Sequence, residues 1–300
     1  MSSQKKILVT GATGVQGGGV TRYCLESGHF VYALVRDTRS GAAQELARKG
    51  AILVQGDLNN RDSLVAAARG MDAVSINLLP EIHDRSSELR QAENMLSAAK
   101  ASGTISTVFY SSVVKTGQHE SFPNWSLQHP MYDFWMSKHK VEERVRAAGF
   151  PHWTIMRQPF FMQNFHSPRS QFMFPGLDAA NTPKVAFRPD TKVDLVDGSD
   201  LGKFVAAAFS SPTLFDRKEI ELAAERPTFV EIVEKLSAAR KQAVKLEFYT
   251  AEELGAASQN LVIQTQLWMN EVGFEVDLDA LSQYGIVLTS AAEYFSKIFS

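Results

Sequence analysis

Two periods of apolar and polar residues alternate along the first 110 positions. Short runs rich in β-branched residues, Ile7–Thr10, Val31–Val35, Ile52–Gln55, Ala73–Ile76 and Thr107–Ser111, read as strands. Between them lie amphipathic stretches with helical spacing: one ending at Ser27, then Gly41–Lys49, Arg61–Arg69 and Ser86–Ala101. Strands joined by helical segments in this order make βαβ units, and right-handed crossovers then place helices on both faces of a parallel sheet.

The pattern breaks at Gly117–Pro130, a polar loop holding Pro123, Trp125 and two histidines. A helix is expected from Asp133 to Ala148 and a sixth strand at Trp153–Arg157. Beyond Pro159 come a Phe-rich run, Phe160–Phe165, a loop punctuated by proline and glycine to Pro189, and a helix at Gly198–Phe209. The tail from Ile220 to Ser300 reads as strand, helix, strand and several short helices, too broken to continue the sheet. The expected fold class is α/β, a doubly wound parallel Rossmann sheet with a small C-terminal α/β lobe. The corresponding division is a Rossmann domain at 1–158 and a lobe at 159–300, with helix 198–209 packing back on the Rossmann core.

Composition narrows the function. A chain of 300 residues with 44% hydrophobic residues can bury a sizeable core. The net charge of -2 and pI near 6.4 provide no long-range pull toward phosphate polymers, so direct nucleic-acid binding is not expected. The single cysteine, Cys24, excludes an internal disulfide and a cysteine metal cluster, and it reads as a small buried hydrophobe. None of the seven histidines has metal-ligand spacing, so no metal is expected. Neither a signal peptide nor an 18-residue apolar stretch is visible, which points away from membranes and toward the cytoplasm, with access to the nucleus.

The first strand runs straight into Thr10-Gly-Ala-Thr-Gly-Val-Gln-Gly17. Gly11 permits a tight turn, Gly14 leaves backbone amides open to a diphosphate, and Gly17 lets the following helix pack close to the sheet. Thr13, Val15 and Gln16 complete a loop that suits a dinucleotide. The second strand ends at Val35-Arg-Asp37, with Arg39 nearby. A guanidinium there can pair bidentately with a 2′-phosphate, so NADP(H) is expected, with NAD(H) as the alternative. After the third strand, Asp57 and Leu58 stand where adenine is bordered, though Asp57 serves equally well as a turn residue. Asn77 after the fourth strand could reach the ribose or simply close a turn.

Candidate chemistry centres on Lys138, in a helix expected beside the nicotinamide half of the cofactor. Short-chain reductases place a tyrosine four residues before that lysine, on the same helix face. Here the position holds Phe134, which cannot donate a proton. Tyr132 lies six residues before Lys138, about 240° around a helix, and serves only if the helix begins after it. Ser111 and Ser112 at the end of the fifth strand, and Lys138 itself, are the other candidate donors, while His139 reads as a surface residue. The phenylalanines at 160, 161, 165, 172 and 174 either line an apolar pocket or form core. Asp194, Asp197 and Asp200 read as caps for the helix that follows them.

Taken together, these residues resemble the NmrA-like group of atypical short-chain dehydrogenases. The resemblance rests on Val9-Thr-Gly-Ala-Thr-Gly-Val-Gln-Gly-Gly18, Leu34-Val-Arg-Asp37, Gln55-Gly-Asp-Leu58, Lys138-His-Lys-Val-Glu-Glu143, Arg157-Gln-Pro-Phe-Phe-Met-Gln-Asn164 and Val193-Asp-Leu-Val-Asp-Gly-Ser-Asp200. It implies an open parallel sheet, NAD(P) binding and one of two careers. Some such proteins resemble isoflavone-reductase-like enzymes, which lack the tyrosine and depend on a lysine matching Lys138. Others bind the dinucleotide without turnover and regulate a protein partner. The first career implies a small apolar carbonyl or activated alkene as substrate.

Overall fold

The computed structural model describes residues 4–79, 84, 86–257 and 260–300. β1 (Lys6–Val9) is followed by α1 (Val15–Glu26), β2 (Phe30–Val35), α2 (Gly41–Arg48), β3 (Ile52–Gln55), α3 (Arg61–Ala68), β4 (Ala73–Ile76), α4 (Ser87–Ser102), β5 (Thr107–Val113), α5 (Tyr132–Ala147) and β6 (His152–Gln158). Next come β7 (Phe160–Phe161), α6 (Ser170–Met173), α7 (Leu177–Ala180), β8 (Lys184–Val185), β9 (Leu195–Val196), α8 (Leu201–Ser210), α9 (Pro212–Phe215) and β10 (Lys218–Glu221). The last elements are α10 (Phe229–Arg240), β11 (Glu247–Phe248), α11 (Ala251–Ala256), α12 (Leu261–Glu271) and α13 (Ala291–Phe299).

Seven strands form one parallel sheet in the order β10-β6-β5-β4-β1-β2-β3. The chain builds outward from β1 to β2 and β3, then returns to lay β4 on the other side of β1. Connections leaving β1 and β4 therefore diverge, and their carboxyl ends flank the crevice that such a reversal opens. The seventh strand corrects the sequence reading, because the sheet does continue beyond residue 217. Arg217 N–H donates to the carbonyl of Trp153 at 2.7 Å, bringing β10 in beside β6. A strand was expected near Ile220, but with the sequence Lys-Glu-Ile-Glu only Ile220 is buried, and so weak a hydrophobic run gives no sign that it joins the sheet.

The chain divides into two compact units that interleave in sequence. The first comprises residues up to Thr116, Phe134–Arg157 and Ser199–Ile220, so α8 belongs with the sheet. The second comprises Gly117–Asp133, Gln158–Gly198 and Glu221–Ser300. The chain crosses between them several times, and residue 158 marks only one crossing.

In the first unit, Leu8, Val74, Ile76 and Val108 of the sheet meet Leu64, Ala92, Met95, Val141 and Val145 of α3, α4 and α5 in one cluster. Cys24 is fully buried as expected, and burial pushes its thiol up to about 12, which leaves it inert at neutral pH. α1 and α8 approach backbone to backbone. A Cβ on Gly202 would lie 2.2 Å from the carbonyl oxygen of Gly19, and one on Gly19 would lie 2.2 Å from that of Ser199.

The second unit is built on aromatic rings. Phe165 and Phe174 stack at 4.5 Å, Phe187 and Phe229 at 4.7 Å, and Phe295 of α13 meets Phe165 edge-on at 5.5 Å. Phe160 packs among them, while Phe172 is exposed. Of the two expectations for this run, the core is the one observed. The segment 117–130 is less polar than its composition suggests: Phe122 is buried against Trp268 at 5.3 Å, and Trp125 contacts both His119 and His129. The aspartates near α8 also depart from expectation. Asp194 accepts from Arg226 Nε at 2.7 Å and from Glu275 N–H at 2.9 Å, and Asp197 accepts from Gln163 Nε2 at 2.7 Å. Asp200 occupies the N-cap of α8 without capping it, its carboxylate turned to Lys203 at 2.8 Å.

An alanine at 202 has no space for its methyl group, since backbone lies on both sides of the contact. Gly202→Ala is expected to lower stability by about 1–3 kcal/mol, read as a shift in the urea midpoint with unchanged slope. A midpoint equal to the parent's would mean that α1 and α8 are not this close.

Candidate functional site

At the carboxyl end of β1, Gly11 has a φ of +59°, the left-handed region, and a Cβ there would lie 2.9 Å from the carbonyl oxygen of Asn77. Gly14 N–H donates to Gly11 O at 2.9 Å, closing the turn, and Gly18 N–H donates to Gly14 O at 2.8 Å as α1 begins. A Cβ at Gly17 would lie 2.4 Å from Gly11 O. Gly14 is the N-cap, and α1 has neither a capping side chain nor an acidic residue in its first turn. Gly11, Thr13 and Gly14 are exposed, and Val15 and Gln16 are half-buried. The positive end of a helix dipole thus stands behind an accessible backbone loop, which is the requirement for gripping an anion.

Asn77 closes the other wall of this loop. Its backbone N–H donates to Thr10 Oγ1 at 2.8 Å, and its side-chain amide donates to Thr10 O and to Ser75 Oγ, both at 3.1 Å. Its Oδ1 is buried and accepts no hydrogen bond among the described residues. An orphan acceptor of this kind costs about 1–3 kcal/mol until something supplies a donor. The residues therefore fit a diphosphate-bearing ligand with hydroxyl groups, on grounds of an uncapped helix and an unsatisfied carbonyl.

Arg36 follows β2, is exposed, and forms no ion pair among the described residues. Asp37 does not neutralise it: that carboxylate accepts from Arg39 N–H at 2.9 Å and faces the Arg39 guanidinium at 3.6 Å. Asp57 closes the turn after β3, with Oδ1 accepting from Asn59 N–H at 2.7 Å, while Asn60 rather than Asp57 caps α3. The Leu58 side chain packs on the core, and its carbonyl accepts from Asn94 at 2.9 Å.

Ser111 and Ser112 are neighbours on β5 and point to opposite faces of the sheet. Ser111 Oγ accepts a short hydrogen bond from Gln16, tying the glycine loop to β5. Ser112 Oγ donates to Glu142 at 2.7 Å. Glu142, fully buried, also holds Arg157 bidentately at 2.9 and 2.6 Å and Arg146 at 2.8 Å, and both arginines reach Glu219. This network joins α5, β6 and β10, so Ser112 serves architecture rather than the loop.

Lys138 is buried at 6% exposure, and its Nζ pairs with Oε1 of Glu88 on α4, which is 1% exposed. Ser137 donates to the other oxygen of Glu88 at 2.8 Å. The Tyr110 hydroxyl shares this layer, and burial, with Glu88 and Glu142 adding to it, holds the phenol well above its usual range. Tyr132 is not free for this layer. It opens α5, rather than preceding it, and in the second unit its ring stacks on Trp125 at 5.2 Å. Phe134 is partly exposed, and His139 pairs with Glu143 at 3.6 Å.

Glu88, Ser137 and Tyr110 were missed in the sequence. One signal existed: Glu88 falls on the stripe formed by Ala92, Met95 and Leu96, at spacings of four, seven and eight, where an apolar residue belongs.

An open parallel sheet with a glycine loop at its reversal point defines a Rossmann-type α/β protein. The NmrA-like family model matches residues 3–282, and the chain belongs to that family. It is 28% identical to a probable pinoresinol-lariciresinol reductase of Arabidopsis thaliana, over 73% of this chain and 67% of the relative. Among solved structures it is similar to NmrA, a negative transcriptional regulator, in complex with NADP. That match has a TM-score of 0.78 and 22% identity, and covers 99% of this chain and 95% of the other. It is also similar to an NADPH-dependent quinone oxidoreductase of Escherichia coli complexed with NADPH, with a TM-score of 0.76 and 20% identity, covering 98% and 100%. At these identities the two structures establish the fold. No helix among the described residues is long and apolar enough to cross a membrane, and none of them group as ligands for a metal ion.

Removing Arg157 leaves the buried Glu142 short of its main partner. Arg157→Met is expected to cost about 3–5 kcal/mol in chemical denaturation. A loss under about 1 kcal/mol would show that the network is solvated.

Proposed function

We propose that this chain binds NADP(H) and acts as an NADPH-dependent oxidoreductase on a small apolar carbonyl or activated alkene. The observation that carries the reading is Lys138, a cation held in the interior by Glu88 at the helix position on which reductases of this type depend. A buried ion pair is a poor source of net stability, which supports another role for it. Reductase-named relatives support the same reading.

In this reading Gly11, Thr13, Gly14, Val15, Gln16 and Gly17 hold the diphosphate, and Arg36 pairs with the 2′-phosphate. Asn77 Oδ1 takes a ribose hydroxyl as its missing donor, and Asp57 and Leu58 border the adenine. When bound, NADPH supplies the hydride. Lys138 fixes the nicotinamide ribose and polarises the acceptor oxygen, and Ser111 or a water held by it delivers the proton. Hydride and proton together would convert a carbonyl to an alcohol or saturate an alkene.

A second reading has its own observation. Phe134 stands in the proton donor's place, and Ser112 and Tyr132 are committed elsewhere. A silent redox sensor that presents its NADP+ or NADPH state to a protein partner needs no donor. Such a sensor must bind the nucleotides with unequal affinity, because equal affinity shifts no equilibrium.

Single-turnover oxidation of bound NADPH against quinones, enones and aryl ketones separates the two. The enzyme reading expects turnover with at least one acceptor class, slowed about a hundredfold or more in Lys138→Met. No oxidation with any acceptor, combined with unequal calorimetric affinities for the four nucleotides, would favour the sensor. Arg36→Glu is expected to weaken NADPH by about 2 kcal/mol, roughly thirtyfold, while sparing NADH. Equal losses for both would remove the role of Arg36. Gly14→Val is expected to fold, since its φ of −89° suits any residue, yet to lose NADPH binding at least tenfold. Parent-like affinity in that variant would rule out the glycine loop as the grip.

A further inference from the structure

The two buried acidic clusters beside β5 are built differently. Glu142 is held by two arginines, one of them in a bidentate fork, and the planar guanidinium is well suited to a permanent buried pair. Among the described residues, Glu88 is held by a single lysine. An ammonium is a compact, strongly hydrated charge that gives up its proton readily when buried, so lysine is the weaker choice for pure architecture. Both Glu88 oxygens are nonetheless occupied, one by Lys138 Nζ and the other by the Ser137 hydroxyl at 2.8 Å, which fixes the carboxylate plane. From β5, the Tyr110 phenol faces the same carboxylate and stays neutral. Among the described residues, Glu88 thus gathers the Lys138 ammonium, a hydroxyl from the same helix and the neutral Tyr110 phenol.

We propose that Glu88 is the positioning residue for Lys138: it fixes the ammonium in direction, with Ser137 locking Glu88, so that Lys138 meets the dinucleotide as an aligned donor. The inference rests on the reading that Lys138 contacts bound NADP(H). It adds a residue fifty positions away in sequence to the apparatus on which that contact depends. Glu88 acts through Lys138 alone.

The test is calorimetric NADPH affinity between pH 7 and 9.5, which needs no turnover. Glu88→Gln keeps the shape and the bond to Ser137 but drops the charge that aims the ammonium, and its affinity is expected to fall about tenfold below the parent's at every pH. Lys138→Met is expected to be weak at every pH. The double variant Glu88→Gln/Lys138→Met carries neither charge and is the safeguard should Glu88→Gln not fold. It is expected to match Lys138→Met within about twofold. Glu88→Gln tracking the parent at every pH would overturn the proposal, as would a double variant clearly weaker than Lys138→Met. Parent-like affinity in Lys138→Met would overturn it too, since Glu88 would then have nothing to position. A parent that binds no NADPH is a different failure: it sinks the cofactor reading itself and the inference with it.

Discussion

Between the carbonyl of Gly11 and the α-carbon of Gly17 there is room for a hydrogen atom and nothing larger, since a Cβ would come within 2.4 Å of that oxygen. That contact holds the turn after β1 against the start of α1 and leaves the first helical amides facing outward without a cap. Everything about the site follows from this geometry. The helix dipole favours an anion, the loop has no side chain to supply one, and Asn77, just past the neighbouring β4, contributes a carbonyl that lacks a donor among the described residues. The order of the strands places these groups together, because β1 and β4 are adjacent in the sheet while their connections diverge.

β5 then divides the polar groups by the two-residue period of a strand. Ser111 reaches the glycine loop through Gln16, and Ser112 enters the Glu142 network that ties α5 to β6 and β10. Tyr110, on the Ser112 side, lies near both Glu88 and Glu142. Two serines that look interchangeable in sequence thus serve a loop and a structural ion cluster. The same helix, α5, supplies both Lys138 and Glu142, four residues apart and on one face, so the candidate chemical group and the architectural anchor share a rigid support.

The main elements were legible because their causes are local. A β-branched run followed by Gly-x-x-Gly-x-x-Gly specifies strand, turn and helix within a dozen residues, and the chain then repeats strand and helix until the sheet is nearly complete. What escaped depends on distant partners. β10 carries one buried side chain, and its place in the sheet depends on the edge that β6 offers it. Asp200 sits where a cap is expected, yet Lys203 takes its carboxylate. The phenylalanines from 160 to 174 have the composition of a pocket or of a core, and only the ring contacts of Phe165 and Phe174 with Phe229 and of Phe165 with Phe295 decide for core there, while Phe172 stays exposed.

The sequence by itself determined the parallel Rossmann sheet, the glycine loop, the cation after β2 and the lysine on α5, since each is written in a short window whose backbone geometry or charge has one physical use. Tertiary structure alone decided that Glu88 partners Lys138, that Ser112 belongs to Glu142, and that Tyr132 opens its helix stacked on Trp125. The reason is that a buried charge is tolerable only beside its partner, and that partner can come from any strand or helix the fold brings near. Spacing along the chain carries no record of which one it will be.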